Sequence, residues 1–286
     1  MTITQLISIS IQGSMALMVF CVMLDARLAD LVYLWRRPSL LARSLLSMNV
    51  LMPAIAIAIA FSFADLDRSL KIALIAMSVS PVPPFLPSTE VKAGGRTPYV
   101  VGLLAVSALS SIVFVPAAAA FIGRLFGEEV HTDASKIAFI VGSSLLAPLV
   151  LGIAVGRLAP SAAKKISRPL SIFAALLLVA AFLPVLAKIW PAIAASAGNY
   201  TLLTIVAFAV AALVAGHLLG GPAAQDRTVL ALSTTSRHPG VALAIANGTP
   251  SVVPVIGVVL VCVVTGAVLG ALYVKVTGRG GAAYAH

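Results

Sequence analysis

The sequence predicts an all-α polytopic membrane protein of nine transmembrane helices, two of them broken. Three observations lead there: 60% of the 286 residues are hydrophobic, only 10% are charged, and long apolar runs recur along the whole chain. Soluble proteins carry about a quarter charged residues, whereas a membrane helix needs roughly 20 apolar residues to cross about 30 Å of hydrocarbon.

Seven uninterrupted spans are expected: Ile3–Leu24, Leu45–Phe63, Tyr99–Ile122, Ile137–Val155, Leu170–Ala187, Leu202–Leu219 and Val252–Val274. Two further stretches, Ile72–Gly95 and Val229–Ala246, are long enough but are interrupted by proline and polar residues. None of the spans has the charged face that a helix on a soluble core would need. The first span is expected to remain in place, since no Lys or Arg precedes it and no small-residue cleavage site follows.

Charge sets the orientation. With the N-terminus outside, the inner segments hold twelve of the 19 basic residues: Arg27, Arg36, Arg37, Arg43, Arg96, Arg157, Lys164, Lys165, Arg168, Arg227, Lys275 and Arg279. The outer segments hold five, and Lys92 and Arg237 fall inside the broken stretches. Acidic residues favour the outside, as at Asp65, Asp67, Glu128, Glu129 and Asp133. Retention of Lys and Arg in cytoplasmic loops gives this pattern, so the net charge of +10 reads as membrane topology rather than nucleic-acid binding. Cys21 and Cys262 lie in apolar runs without metal or disulfide spacing.

The two breaks share a layout of apolar half-helix, proline-containing polar segment and second half. The first lies within Ser78–Lys92 and holds four prolines between Pro81 and Pro87; the second is Ser233–Gly240. A single kink would not need four residues without backbone donors, and unwound backbone survives at membrane depth only inside protein or beside a wet cavity. Paired breaks in corresponding positions are a pointer to a transporter binding site. The second break is in the fourth helix of a terminal unit of five. One helix lost before Ile3 would give the first unit the same plan, with the second inverted by the odd count. The repeats are then 1–125 and 135–286.

Nine spans, the Ser233–Gly240 break followed by Val-Ala-Leu-Ala-Ile-Ala, and the proline-rich Ser80–Thr89 resemble the bile acid:sodium symporter family over nearly the whole chain. The resemblance implies panel helices (1–63 and 135–188) joined to core helices (68–125 and 200–275), with the two broken helices crossing in the core. It also implies a bacterial inner membrane, with the C-terminus cytoplasmic. By the same resemblance, with Gly240 aligned on the glycine after the second break, Ser233 stands where sodium-coupled members have a sodium-binding glutamate and Arg237 where they have a glutamine. Aligning Pro116 on the family proline puts Glu90 and Val91 against a Ser-Asn pair. These departures remove hard oxygens and add a fixed positive charge.

Ionisable groups at membrane depth are functional candidates, which singles out Glu90, Lys92 and Arg237. A salt bridge from Glu90 to Lys92 or Arg237 that only locks the crossing competes with ligand contact, and Lys92 can also snorkel to the surface. His238 is a candidate proton carrier. Ser88, Thr89, Ser233, Thr234, Thr235 and Ser236 offer hydroxyls, and Asn49 stands one helix earlier, either flanking the site or bonding a neighbouring helix. The function expected is a secondary transporter of a small organic anion. Coupling is expected through a proton, uniport or exchange rather than two sodium ions, and no bound cofactor is called for. Its surroundings are the lipid bilayer, and a homo-oligomer stays open. The alternatives are a sodium-coupled symporter of the same family, an arsenite- or auxin-type efflux carrier, or a non-transporting sensor. An enzyme is not expected, because the chain has no phosphate loop, metal-ligand cluster or nucleophile paired with a base.

Overall fold

The computed structural model describes residues 3–63, 65–125, 134–196, 200–246 and 252–282, and every regular element among them is helical. In chain order these are α1 (Ile3–Met23), α2 (Leu28–Leu31), α3 (Pro38–Leu45), a π-helical turn (Leu46–Leu51), α4 (Met52–Ser62), α5 (Arg68–Val79), α6 (Leu86–Lys92) and α7 (Thr97–Leu125). The second half follows with α8 (Ala134–Val141), a second π-turn (Gly142–Leu146), α9 (Ala147–Leu158), α10 (Pro160–Ser196), α11 (Thr201–Leu219), α12 (Ala224–Thr235), α13 (Pro239–Ala246) and α14 (Val252–Ala282).

Among the described residues, six helices are long and apolar enough to cross a membrane: Pro38–Ser62, Thr97–Phe121, Ser135–Leu158, Pro160–Pro184, Thr201–Leu219 and Val255–Gly278. The two broken stretches divide into helices of twelve residues or fewer, α5 with α6 and α12 with α13. Of the acidic residues expected outside, Asp67 is an N-cap, its carboxylate accepting from the Ser69 N–H at 2.8 Å. Glu128, Glu129, Asp133, His131 and His286 lie outside the described residues.

Helices α1, α9 and α10 pack on one another, while α5, α11, α12, α13 and α14 form a second group. The helix made of α3, the first π-turn and α4 packs on α5 and α11, beside the broken helices. Small residues permit the closest approaches. At Gly216 of α11 a Cβ would come within 2.5 Å of the Ala231 Cα of α12, so only glycine lets these two backbones meet.

Near the basic residues expected inside, one ion pair crosses the two halves of the chain, and two hydrogen bonds join elements of the first half. Arg96 and Asp226 form an ion pair at 3.0 Å, the Arg96 guanidinium reaches the Tyr33 hydroxyl at 3.4 Å, and the Tyr99 and Ser44 hydroxyls bond at 2.8 Å. Burial pushes the Asp226 carboxyl above the usual carboxylate range, and Arg96 and Arg37 pull it back.

Candidate functional site

Ser80 closes α5 in an extended conformation (φ −73°, ψ 150°), the geometry a following proline enforces. Pro81, Val82, Pro83 and Pro84 then bring a single backbone N–H, that of Val82, and it donates to Ser107 Oγ of α7 at 2.9 Å. With no donors of its own left over, the first break offers carbonyl oxygens. Helix resumes at Leu86 with Pro87 in its first turn, where a missing N–H costs nothing.

The second break answers with donors. After α12 ends at Thr235, Ser236 is extended (φ −95°, ψ 126°) and the chain turns through Arg237 and His238 into α13. The His238 backbone N–H donates to Pro81 O at 2.8 Å. The Arg237 guanidinium donates through one terminal nitrogen to Ser80 O at 3.0 Å and through the other to Met48 O at 2.5 Å. The two breaks therefore meet, and the carbonyls of one receive the donors of the other.

Met48 is available for a local reason. It sits in the first π-turn, where the donor due to its carbonyl is the N–H of the residue five ahead. That residue is Pro53, which has none. The second π-turn repeats the arrangement, with Pro148 five residues after Ser143. Counted back from the two prolines, Asn49 corresponds to Ser144, and Ser144 Oγ bonds His238 Nε2 at 3.1 Å. His238 Nδ1 accepts from the Val241 N–H at 3.4 Å, capping α13 and assigning the ring proton to Nε2.

Arg237 is 3% exposed and Glu90 1%. Neither has an ion-pair partner among the described residues, so the salt bridge expected from Glu90 to Lys92 or Arg237 is not formed there. Instead the Ser233 hydroxyl donates to Glu90 at 2.5 Å, joining α12 to α6. Thr234 and Ser47 bond at 2.9 Å, joining α12 to the first π-turn. Of the other residues singled out, Thr235 bonds back to Ala231 O, Ser88 to Phe85 O, and Asn49 and Ser236 are half-buried. Thr89 and Lys92 lie exposed on α6, away from the crossing. Ser47, Ser107 and Ser144 were not singled out, although Pro53 and Pro148 in the neighbouring turns mark two of them.

Two cavities flank the second break. One of about 600 Å³ lies between α1, α8, α10, α13 and α14, lined mainly by apolar side chains such as Phe139 and Phe182, with Gln12, Ser143, Ser144 and His238 as polar points. Its size is in the usual range for small-molecule sites. The other, about 10 Å³, touches Arg237, Thr235 and Ser236 and has room for about one water. Arg237 Nε is buried without a hydrogen-bond partner.

An all-helical membrane protein in which two broken helices exchange backbone and charged contacts, beside a cavity large enough for a small molecule, has the build of a membrane transporter. The family model described as the sodium bile acid symporter family matches residues 14–190, and the chain belongs to that family. The matched stretch takes in the first break and stops short of the second. No curated protein matches the chain. A sodium ion needs a shell of hard oxygens, and here the carbonyls of Ser80 and Met48 are bonded to a guanidinium. No cluster of three or more His, Cys, Asp or Glu occurs among the described residues.

Proposed function

We propose that this protein is a secondary transporter of a small organic anion, that Arg237 supplies the positive charge for the anion at the crossing, and that transport runs without sodium. One observation carries the reading: a guanidinium buried at the meeting of two breaks, held by neutral carbonyls, with no acid paired to it among the described residues. A buried charge is costly unless compensated, and an anionic substrate is the compensation. In this proposal Ser236 stands beside Arg237 at the small cavity and His238 reaches the 600 Å³ cavity that admits the apolar part of the anion, while Ser233, Thr234 and His238, whose polar atoms are engaged here, turn to the anion when the crossing moves. Ser88, Thr89, Lys92 and Asn49 remain candidates for a state in which the crossing has moved.

The architecture proposed with it has nine crossings among the described residues, adding α1 and the two broken pairs to the six long spans, arranged as inverted repeats. Its support is the position of the breaks and the excess of basic residues at one end, which favours an outside N-terminus in a bacterial inner membrane. The division into panel and core rests on packing. Helices α1, α9 and α10 stay together, and α3–α4 packs with the core group although it precedes residue 63. With the N-terminus outside, the large cavity lies on the outer side of the crossing.

Family membership favours a second reading, a sodium-coupled symporter of the same anion. Initial uptake into liposomes separates the two. A panel of carboxylates, sulfonates and bile acids is offered with sodium, potassium or choline in the medium. Flux of at least one anion that is indifferent to the cation is the expected result. A steep sodium dependence with a Hill coefficient near two would establish the second reading, and no flux or binding across the panel would remove both.

A further inference from the structure

The other buried ionisable group of the crossing, Glu90, has no role in that reading. Glu90 is 1% exposed, receives a hydrogen bond from the Ser233 hydroxyl, and has no cation within ion-pair distance among the described residues. Around it, α7 carries Tyr99, which is bonded to Ser44 and lies within electrostatic reach of Glu90 and Asp226. Helix α12 brings Asp226, already paired with Arg96, and Arg227, bonded to Gly221 O; α1 brings Cys21, and Lys92 on α6 itself is exposed. Among the described residues, none of these groups forms an ion pair with Glu90. The alternative proton carrier, His238, has both ring nitrogens engaged, one capping α13 and the other on Ser144.

We infer that Glu90 is a proton-binding site linked to the anion site, so that a proton and an anion occupy the crossing together. This rests on the proposed anion site at Arg237. Glu90 holds the Ser233 hydroxyl of α12, four residues before Arg237, so in this proposal an ionised Glu90 sets a negative charge against the same end of α12 that leads to the guanidinium. Proton uptake from water forms one O–H bond on the carboxyl and leaves the guanidinium charge unopposed, which favours the anion. Anion release restores the reverse order, and the proton returns to water. A carboxyl buried without a counter-charge is the group best suited to this exchange, because its neutral form is the one its surroundings accept.

The test uses the full chain in nanodiscs and needs two readouts. Infrared difference spectra across a pH titration, without anion, should show a carboxylic acid band that disappears in Glu90→Gln. Should that variant fail to fold, Ser233→Ala, which removes the hydroxyl favouring the carboxylate, should move the band's midpoint to higher pH. A Glu90 carboxyl that does not titrate, or a midpoint unmoved in Ser233→Ala, overturns the proposal whether or not an anion is known. Calorimetry of the anion found by the uptake panel, in buffers of different ionisation heat, should then show proton uptake approaching ~1 per anion in the parent and none in Glu90→Gln, with affinity falling up to about tenfold per pH unit only in the parent. Anion binding without proton uptake sinks the proton site and leaves the anion reading standing. Absence of anion binding at every pH sinks the Arg237 reading, and the infrared titration still decides the fate of Glu90.

Discussion

The first break is made of acceptors and the second of donors. Prolines at 81, 83 and 84 strip the first of N–H groups, and Ser107 consumes the one that remains at Val82. The second keeps its N–H groups and adds a guanidinium, which it delivers to Ser80 O while His238 delivers its backbone N–H to Pro81 O. Two unwound segments in a low-dielectric interior each carry unsatisfied groups, and each alone would be costly. Their complementarity resolves both at once, and it shows that the prolines set the polarity of the first break as well as opening the helix.

If that division of labour is right, the largest effect belongs to Arg237→Ala. It should lower anion affinity at least about 100-fold, the scale of removing one partner from a buried ion pair, and should leave Ser80 O and Met48 O unpaired. Calorimetry on the folded variant checks this, and unchanged affinity would remove Arg237 from the site. Arg237→Lys should recover only part of the loss, because an ammonium cannot span two carbonyls as a planar fork does.

Ser107→Ala tests the acceptor side. It strands the Val82 N–H and should cost about 1–3 kcal/mol of stability, seen as a lower melting temperature with anion affinity little changed. An affinity loss as great as that of Arg237→Ala would mean that the two breaks are not functionally distinct.

A smaller change is expected from Pro53→Ala, which returns a donor to the π-turn and lets it compete with Arg237 for Met48 O. Anion affinity should change by less than tenfold, about 1 kcal/mol, the net worth of one hydrogen bond. No change at all would show that the missing N–H at residue 53 is not what frees that carbonyl.

The hydropathy of the chain made the spans legible because burial in lipid demands long apolar runs, and Ile3–Leu24 differs from α1 by one residue. Break boundaries were less legible. The polar run Ser233–Thr235 looked unwound, yet it is helical. Thr235 hydrogen-bonds to Ala231 O, and Ser233 and Thr234 spend their hydroxyls on Glu90 and Ser47. Pro87 looked like part of the break, yet it opens α6, where a first-turn proline is tolerated. α10 runs Pro160–Ser196 through Pro169, Pro184 and Pro191, well beyond the Leu170–Ala187 expected from apolarity, because helix continues where the apolar run does not. At the site, Glu90, Ser233, Arg237 and His238 announced themselves by residue type. Their partners Met48 O, Ser80 O and Pro81 O could not, since every residue has a carbonyl and only backbone register decides which is free. The Glu90–Ser233 bond spans 143 positions, and residue charge pointed instead to Lys92 or Arg237 as the partner.

The π-turn at Leu46–Leu51 is in effect one amino acid inserted into a helix, which has a genetic consequence. Deleting a single codon between 46 and 51 would close the wide turn and restore the α period, and because the π-turn already absorbs the extra residue, the flanking helices would keep their register. Point substitutions in this segment perturb one contact at a time. Deletion of residue 46 or 47 would instead give the Met48 carbonyl the Met52 N–H four residues on, and so withdraw the acceptor that Arg237 uses.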